Sequence, residues 1–98
     1  MPVSITSRER AHLKARAHPL EPIVQVGLAG LSDAVITQVD VALAAHELIK
    51  VRINGADREE RAALPEVLRH RTESAIVQQV GRILVLWRPK PEAAAPEF

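Results

Sequence analysis

The chain has 98 residues, of which 47% are hydrophobic, a formal net charge of +1 and no cysteine. That length holds one small core rather than two, and the missing cysteine excludes a disulfide framework, a thiolate metal site and a cysteine nucleophile. One Phe, one Trp and no Tyr leave a core of Val, Ile, Leu and Ala, and argue against RNA binding through aromatic rings stacked on a sheet.

The N-terminus lacks a charged-then-apolar leader, and no apolar run approaches the length of a membrane span, so a soluble cytoplasmic protein is expected. Two of the twelve acids, Glu92 and Glu97, lie in the last eight residues, which leaves 13 basic and 10 acidic side chains in residues 1–90. That bias is mild, so the distribution of charge has to decide whether a basic surface exists.

After a lead-in, Thr6-Ser-Arg-Glu9 fits a capping box that opens a helix over about Ser7 to Ala17. His18-Pro19 ends it, because the residue before proline disfavours helical geometry. Leu13 and Ala17 give this helix a thin apolar contact. Arg10 and Lys14 stack four residues apart, and Arg8, His12 and Arg16 form a second basic row. The same composition also describes an ordinary solvated helix face.

Ile23 to Val26 reads as a strand, running into Gly27-Leu28-Ala29-Gly30. Two glycines three apart permit a sharp turn, and Ser32 behind them is an N-cap. The helix that follows exposes unpaired amides and a positive dipole end, which suit a phosphate at Gly30 to Asp33. Val35, Ile36, Val39, Leu43 and Ala44 recur at helical spacing to about His46, with Thr37, Gln38 and Asp40 outside.

Leu48 to Ile53 alternates, with Ile49, Val51 and Ile53 expected in the core and Leu48, Lys50 and Arg52 opposite. Asn54-Gly55 marks a turn, and Asp57-Arg-Glu-Glu60 fits a second capping box. Pro65 predicts a kink or restart near Leu64 in the helix that follows. Ala75 to Val80 and Ile83 to Arg88 flank Gly81-Arg82, a two-residue turn of type II′, and should pair antiparallel. The second strand is apolar on both faces and therefore central. From Pro91 to Phe98 the composition reads as a disordered tail. The order α-β-α-β-α-β-β predicts a single α/β domain over residues 1–90 with a small mixed four-stranded sheet and helices packed on it.

Catalysis finds no support, since His12, His18, His46 and His70 fall at unrelated helical positions and no acid–base pair converges. No catalytic residue, metal ligand, cofactor or small-molecule substrate is assigned. The glycine loop lacks the Walker lysine and the third glycine of a dinucleotide fingerprint. Beside a basic first helix, Lys50, Arg52 and Arg88-Pro-Lys90, it reads better as a clamp for a nucleic-acid backbone of the KH type. With Leu28 and Ala29 neutral between the glycines, the positive charge has to come from neighbouring elements.

The chain resembles the YhbY-like family, bacterial stand-alone CRM domains. The resemblance covers Arg10 to Pro89 and rests on His12-Leu13-Lys14, Ala17-His18-Pro19-Leu20, Pro22 to Leu31, His46-Glu-Leu-Ile-Lys-Val51, Asp57-Arg58 and Val80-Gly81 leading to Leu84-Val85-Leu86 with Arg88-Pro89. It implies an RNA-binding domain similar in fold to the C-terminal domain of translation initiation factor three, and association with ribosomal RNA in precursors of the large subunit. The RNA-contacting residues it suggests are Gly27, Leu28, Ala29 and Gly30, with Arg10, Lys14, His18, Lys50, Arg52 and Arg88 nearby. A monomer acting as an assembly factor is expected; the alternative is a module that docks on a ribosomal protein or assembly factor.

Overall fold

A computed structural model describes residues 3–27, 30–54 and 58–90. The centre of the glycine loop, the start of the second capping box and the expected tail lie outside these residues. Seven elements follow in chain order: α1 (Ser7–Ala17), β1 (Pro22–Val26), α2 (Asp33–His46), β2 (Leu48–Ile53), α3 (Arg58–Thr72), β3 (Ala75–Val80) and β4 (Ile83–Trp87). The α/β order is the expected one.

The four strands form one mixed sheet in the order β1-β2-β4-β3. β1 and β2 run parallel, joined through α2, while β4 lies antiparallel to both of its neighbours. β4 is thus central, as its two apolar faces require. Gly81, at φ 60, turns the β3–β4 hairpin.

Alternation along each strand sorts side chains into two cores. Val24, Val26, Ile49, Val51, Ile53, Leu84 and Leu86 meet Val39 and Leu43 of α2 and Leu64 and Leu68 of α3. On the opposite face Leu48, Val77, Val85 and Trp87 pack on Leu13 and Ala17 of α1. The molecule is therefore three-layered, with one helix on one side of the sheet and two on the other.

The helix starts follow their caps. Thr6 and Glu9 satisfy each other's backbone amides in a full capping box, and the Ser32 hydroxyl accepts from the Val35 amide. α1 stops after Ala17 as expected, although His18 itself keeps helical angles of φ −50 and ψ −46; the stop comes from Pro19, which supplies no amide to continue the ladder. Within α2, Ala44 is exposed and Ala42 takes its expected place against the core.

At Pro65 the expected restart does not occur, and α3 continues through the proline. α3 runs unbroken from Arg58 to Thr72 with Pro65 inside it and buried. The ring forfeits one backbone hydrogen bond and crowds the preceding turn, which costs about 3 kcal/mol in an exposed helix. Here its burial in the packed face beside Leu64 and Leu68 offsets part of that cost, and the helix does not restart.

Candidate nucleic-acid interface

The glycine loop leaves the carboxyl end of β1. The Gly30 amide donates to the Gly27 carbonyl at 3.0 Å, closing a four-residue turn, so this amide is used inside the loop. The amides of Asp33 and Ala34, in the first turn of α2, donate to no group among the described residues and remain as anion donors.

The two glycines differ. Gly30 is buried and sits at φ +79, where any L side chain is strained, and a Cβ there would lie 3.4 Å from the Glu60 carboxylate. Gly27 is exposed, outside the left-handed region, and a Cβ on it would meet nothing within 4 Å. The fold demands glycine at position 30 and makes no such demand at position 27.

Lys50 and Arg52 project from β2 on the α1 side of the sheet, because Ile49, Val51 and Ile53 take the other side. The Lys50 ammonium lies 3.5 Å from the His18 carbonyl at the end of α1, where the negative end of the helix dipole favours a cation. Arg52 is exposed and pairs in register with Gln25, two residues before Gly27. Lys50 and Arg52 thus link the end of α1 to the loop. His18 and the loop themselves stand at opposite ends of β1, about 15 Å apart for a strand of this length.

Besides Lys50, two of the expected basic residues have internal partners. Arg10 donates to the carbonyls of Ile76 and Val77, at 2.5 and 2.8 Å, on edge strand β3. The β3 register shifts between Ile76 and Gln78, so the guanidinium satisfies the carbonyls at a bulge and blunts that edge. Arg88 donates to the Asp40 carboxylate at 2.6 Å, to the Asp40 carbonyl at 3.1 Å and to the Thr72 carbonyl at 2.8 Å, tying α2 to the end of α3. Lys14, with Arg8, His12 and Arg16, is exposed on α1.

Sequence reasoning missed three features. Glu60, assigned to the dipole at the start of α3, has its carboxylate beside Gly30. Asn54, taken only for a turn, donates its amide to the Gln25 side chain at 3.2 Å and its backbone amide to the Val26 carbonyl. Val80 is 62% exposed at the end of β3; its position in an alternating strand gave no sign that the neighbouring helix stops short of it. Elsewhere, hydrogen bonds from Arg69, with its charge, hold the Glu66 carboxyl below the ordinary carboxylate range. That contact is an exposed pair three residues apart on α3. Among the described residues no three His, Asp or Glu side chains gather as a metal site, and no helix is long and apolar enough to cross a membrane.

Comparison with known proteins agrees with this architecture. The family model for the CRS1 / YhbY (CRM) domain matches residues 5–88. A Haemophilus influenzae protein named as an RNA-binding protein is 41% identical over 90 residues, covering 92% of this chain and 91% of its own. The "probable RNA-binding protein YqeI" of Bacillus subtilis is 36% identical over 88 residues, with 90% and 92% covered. The solution structure of a hypothetical Staphylococcus aureus protein, proposed to bind RNA, superposes with a TM-score of 0.78 at 32% identity, covering 91% of this chain and 93% of that one.

Proposed function

The chain belongs to the CRS1 / YhbY (CRM) domain family, and on that footing we propose that it binds RNA, without catalysis, as a monomeric cytoplasmic factor acting on ribosomal RNA in precursors of the large subunit. The relatives' names support RNA as the ligand; the ribosomal target rests on the family resemblance. The observation that carries the reading is Gly27, an exposed glycine that the fold itself does not require, two residues beyond the Gln25 that pairs with exposed Arg52. A glycine without a structural reason is explained by a ligand backbone that comes too close for a side chain.

In this reading the phosphate sits at the loop and the first amides of α2, and Arg52, Lys50, Lys14 and His18 follow the backbone toward α1. Arg10 and Arg88 serve the fold, since their guanidiniums are spent on internal carbonyls and a carboxylate. Leu28 and Ala29 contribute shape rather than charge. The protein titrated into structured ribosomal RNA should show log affinity falling linearly with log salt, by about 0.7 to 0.9 per phosphate contacted. Affinity that stays level from low to high salt would contradict the proposal.

A protein-docking module is the competing reading, and one observation favours it. Ile23 on edge strand β1 and Val41 on α2 are 52% and 60% exposed and line a common groove. Retention of ribosomal particles after nuclease treatment would support that reading, and their release would support RNA.

A further inference from the structure

The helix on the α1 side covers only half of the sheet. Leu13 and Ala17 pack on Leu48, Val77, Val85 and Trp87, toward the amino end of β2. Beyond them Gln25, Arg52, Ile83 and Val80 are successive register partners on β1, β2, β4 and β3, so they form one row across all four strands. At ~4.8 Å per strand gap the row spans about 14 Å. Gln25 and Arg52 are exposed, Ile83 is half-buried and Val80 is 62% exposed. The row begins two residues before Gly27 and ends at the Gly81-Arg82 hairpin.

We propose that this row is a bed for the bases of an unpaired RNA strand whose backbone is held at the glycine loop; the inference rests on the RNA-binding reading above. The chemistry changes along the row in a way that fits a nucleotide chain. Arg52, with Arg82 at the far end, supplies charge for phosphates. Ile83 and Val80 offer nothing to a phosphate but can cover the flat face of a base. Between the loop and Arg52, Asn54 donates to the Gln25 carbonyl oxygen at 3.2 Å, which leaves the Gln25 amide hydrogens and the Asn54 oxygen as a donor and an acceptor side by side. That pairing matches the edge of a base rather than a backbone. In a duplex the base faces are stacked inside and the edges lie in grooves that side chains read poorly, so an unpaired strand is the form that presents both. The row is also continuous with the loop, so one strand can occupy both.

The test compares a mixed-sequence unpaired ribo-oligonucleotide with the same oligonucleotide annealed to its complement, by fluorescence anisotropy, for the full chain and its Val80→Ser variant. The unpaired form should bind at least about tenfold more tightly, and V80S should weaken it about threefold while leaving the duplex unaffected, the effect expected for losing part of one aliphatic contact. As a readout independent of any variant, the Val80 and Ile83 methyl resonances should shift on adding the unpaired strand. Equal binding of the two forms with unmoved methyls would overturn the inference and leave the RNA-binding reading intact. No binding of either form would overturn both. Methyls that shift only with nuclease-treated cell extract would assign the row to a protein partner and overturn the inference as well.

Discussion

Gly30 has to be glycine and Gly27 does not, although both come from one Gly-x-x-Gly motif. Spacing alone treats them as equivalent; the difference lies in a backbone angle of +79 at Gly30 and the Glu60 carboxylate beside it, and neither is written in local sequence. The backbone angle has a direct consequence. Gly30→Ala should destabilise the domain by about 1–2 kcal/mol, the cost of holding an L side chain in the left-handed region. Urea unfolding checks this, and a parental midpoint in the variant would contradict it.

Element types and their faces were legible because periodicity and capping agree at most positions. The alternation of Ile49, Val51 and Ile53 marked the core face of β2, and Leu13 with Ala17 marked the contact of α1. The absence of a restart at Pro65 was not legible, because local chemistry disfavours a proline inside a helix while burial of that helix face compensates from outside the segment. The partners of Arg10 and Arg88 were invisible for a related reason: both bind carbonyls on elements remote in sequence. Their assignment to the fold has a direct consequence. Arg88→Met should destabilise the domain by about 1–2 kcal/mol, since it strips the part-buried Thr72 carbonyl of its Arg88 donor and unpairs Asp40. Under conditions where the variant remains folded, its RNA affinity should change less than about twofold. Urea unfolding and anisotropy together check this; an unchanged midpoint with weakened binding would place Arg88 on the RNA.

Across the whole molecule, the fold class followed from the order of elements, but the shape of the site did not. Sequence reasoning grouped the basic first helix with the glycine loop, whereas the sheet order places them at opposite ends of β1 and leaves Lys50 and Arg52 to span the gap. How far α1 extends over the sheet, and so which strand residues stay open, is a property of tertiary packing that alternation cannot report. Family membership supplies the class of ligand, and the geometry supplies a reason for one particular residue. The central claim is that the glycine loop meets an RNA backbone, and Gly27 tests it most directly because a side chain there has room in the free protein. Measured side by side, Gly27→Leu should keep the unfolding midpoint of the parent and lose about tenfold or more in affinity for structured ribosomal RNA; parental affinity in a folded Gly27→Leu protein would contradict the account.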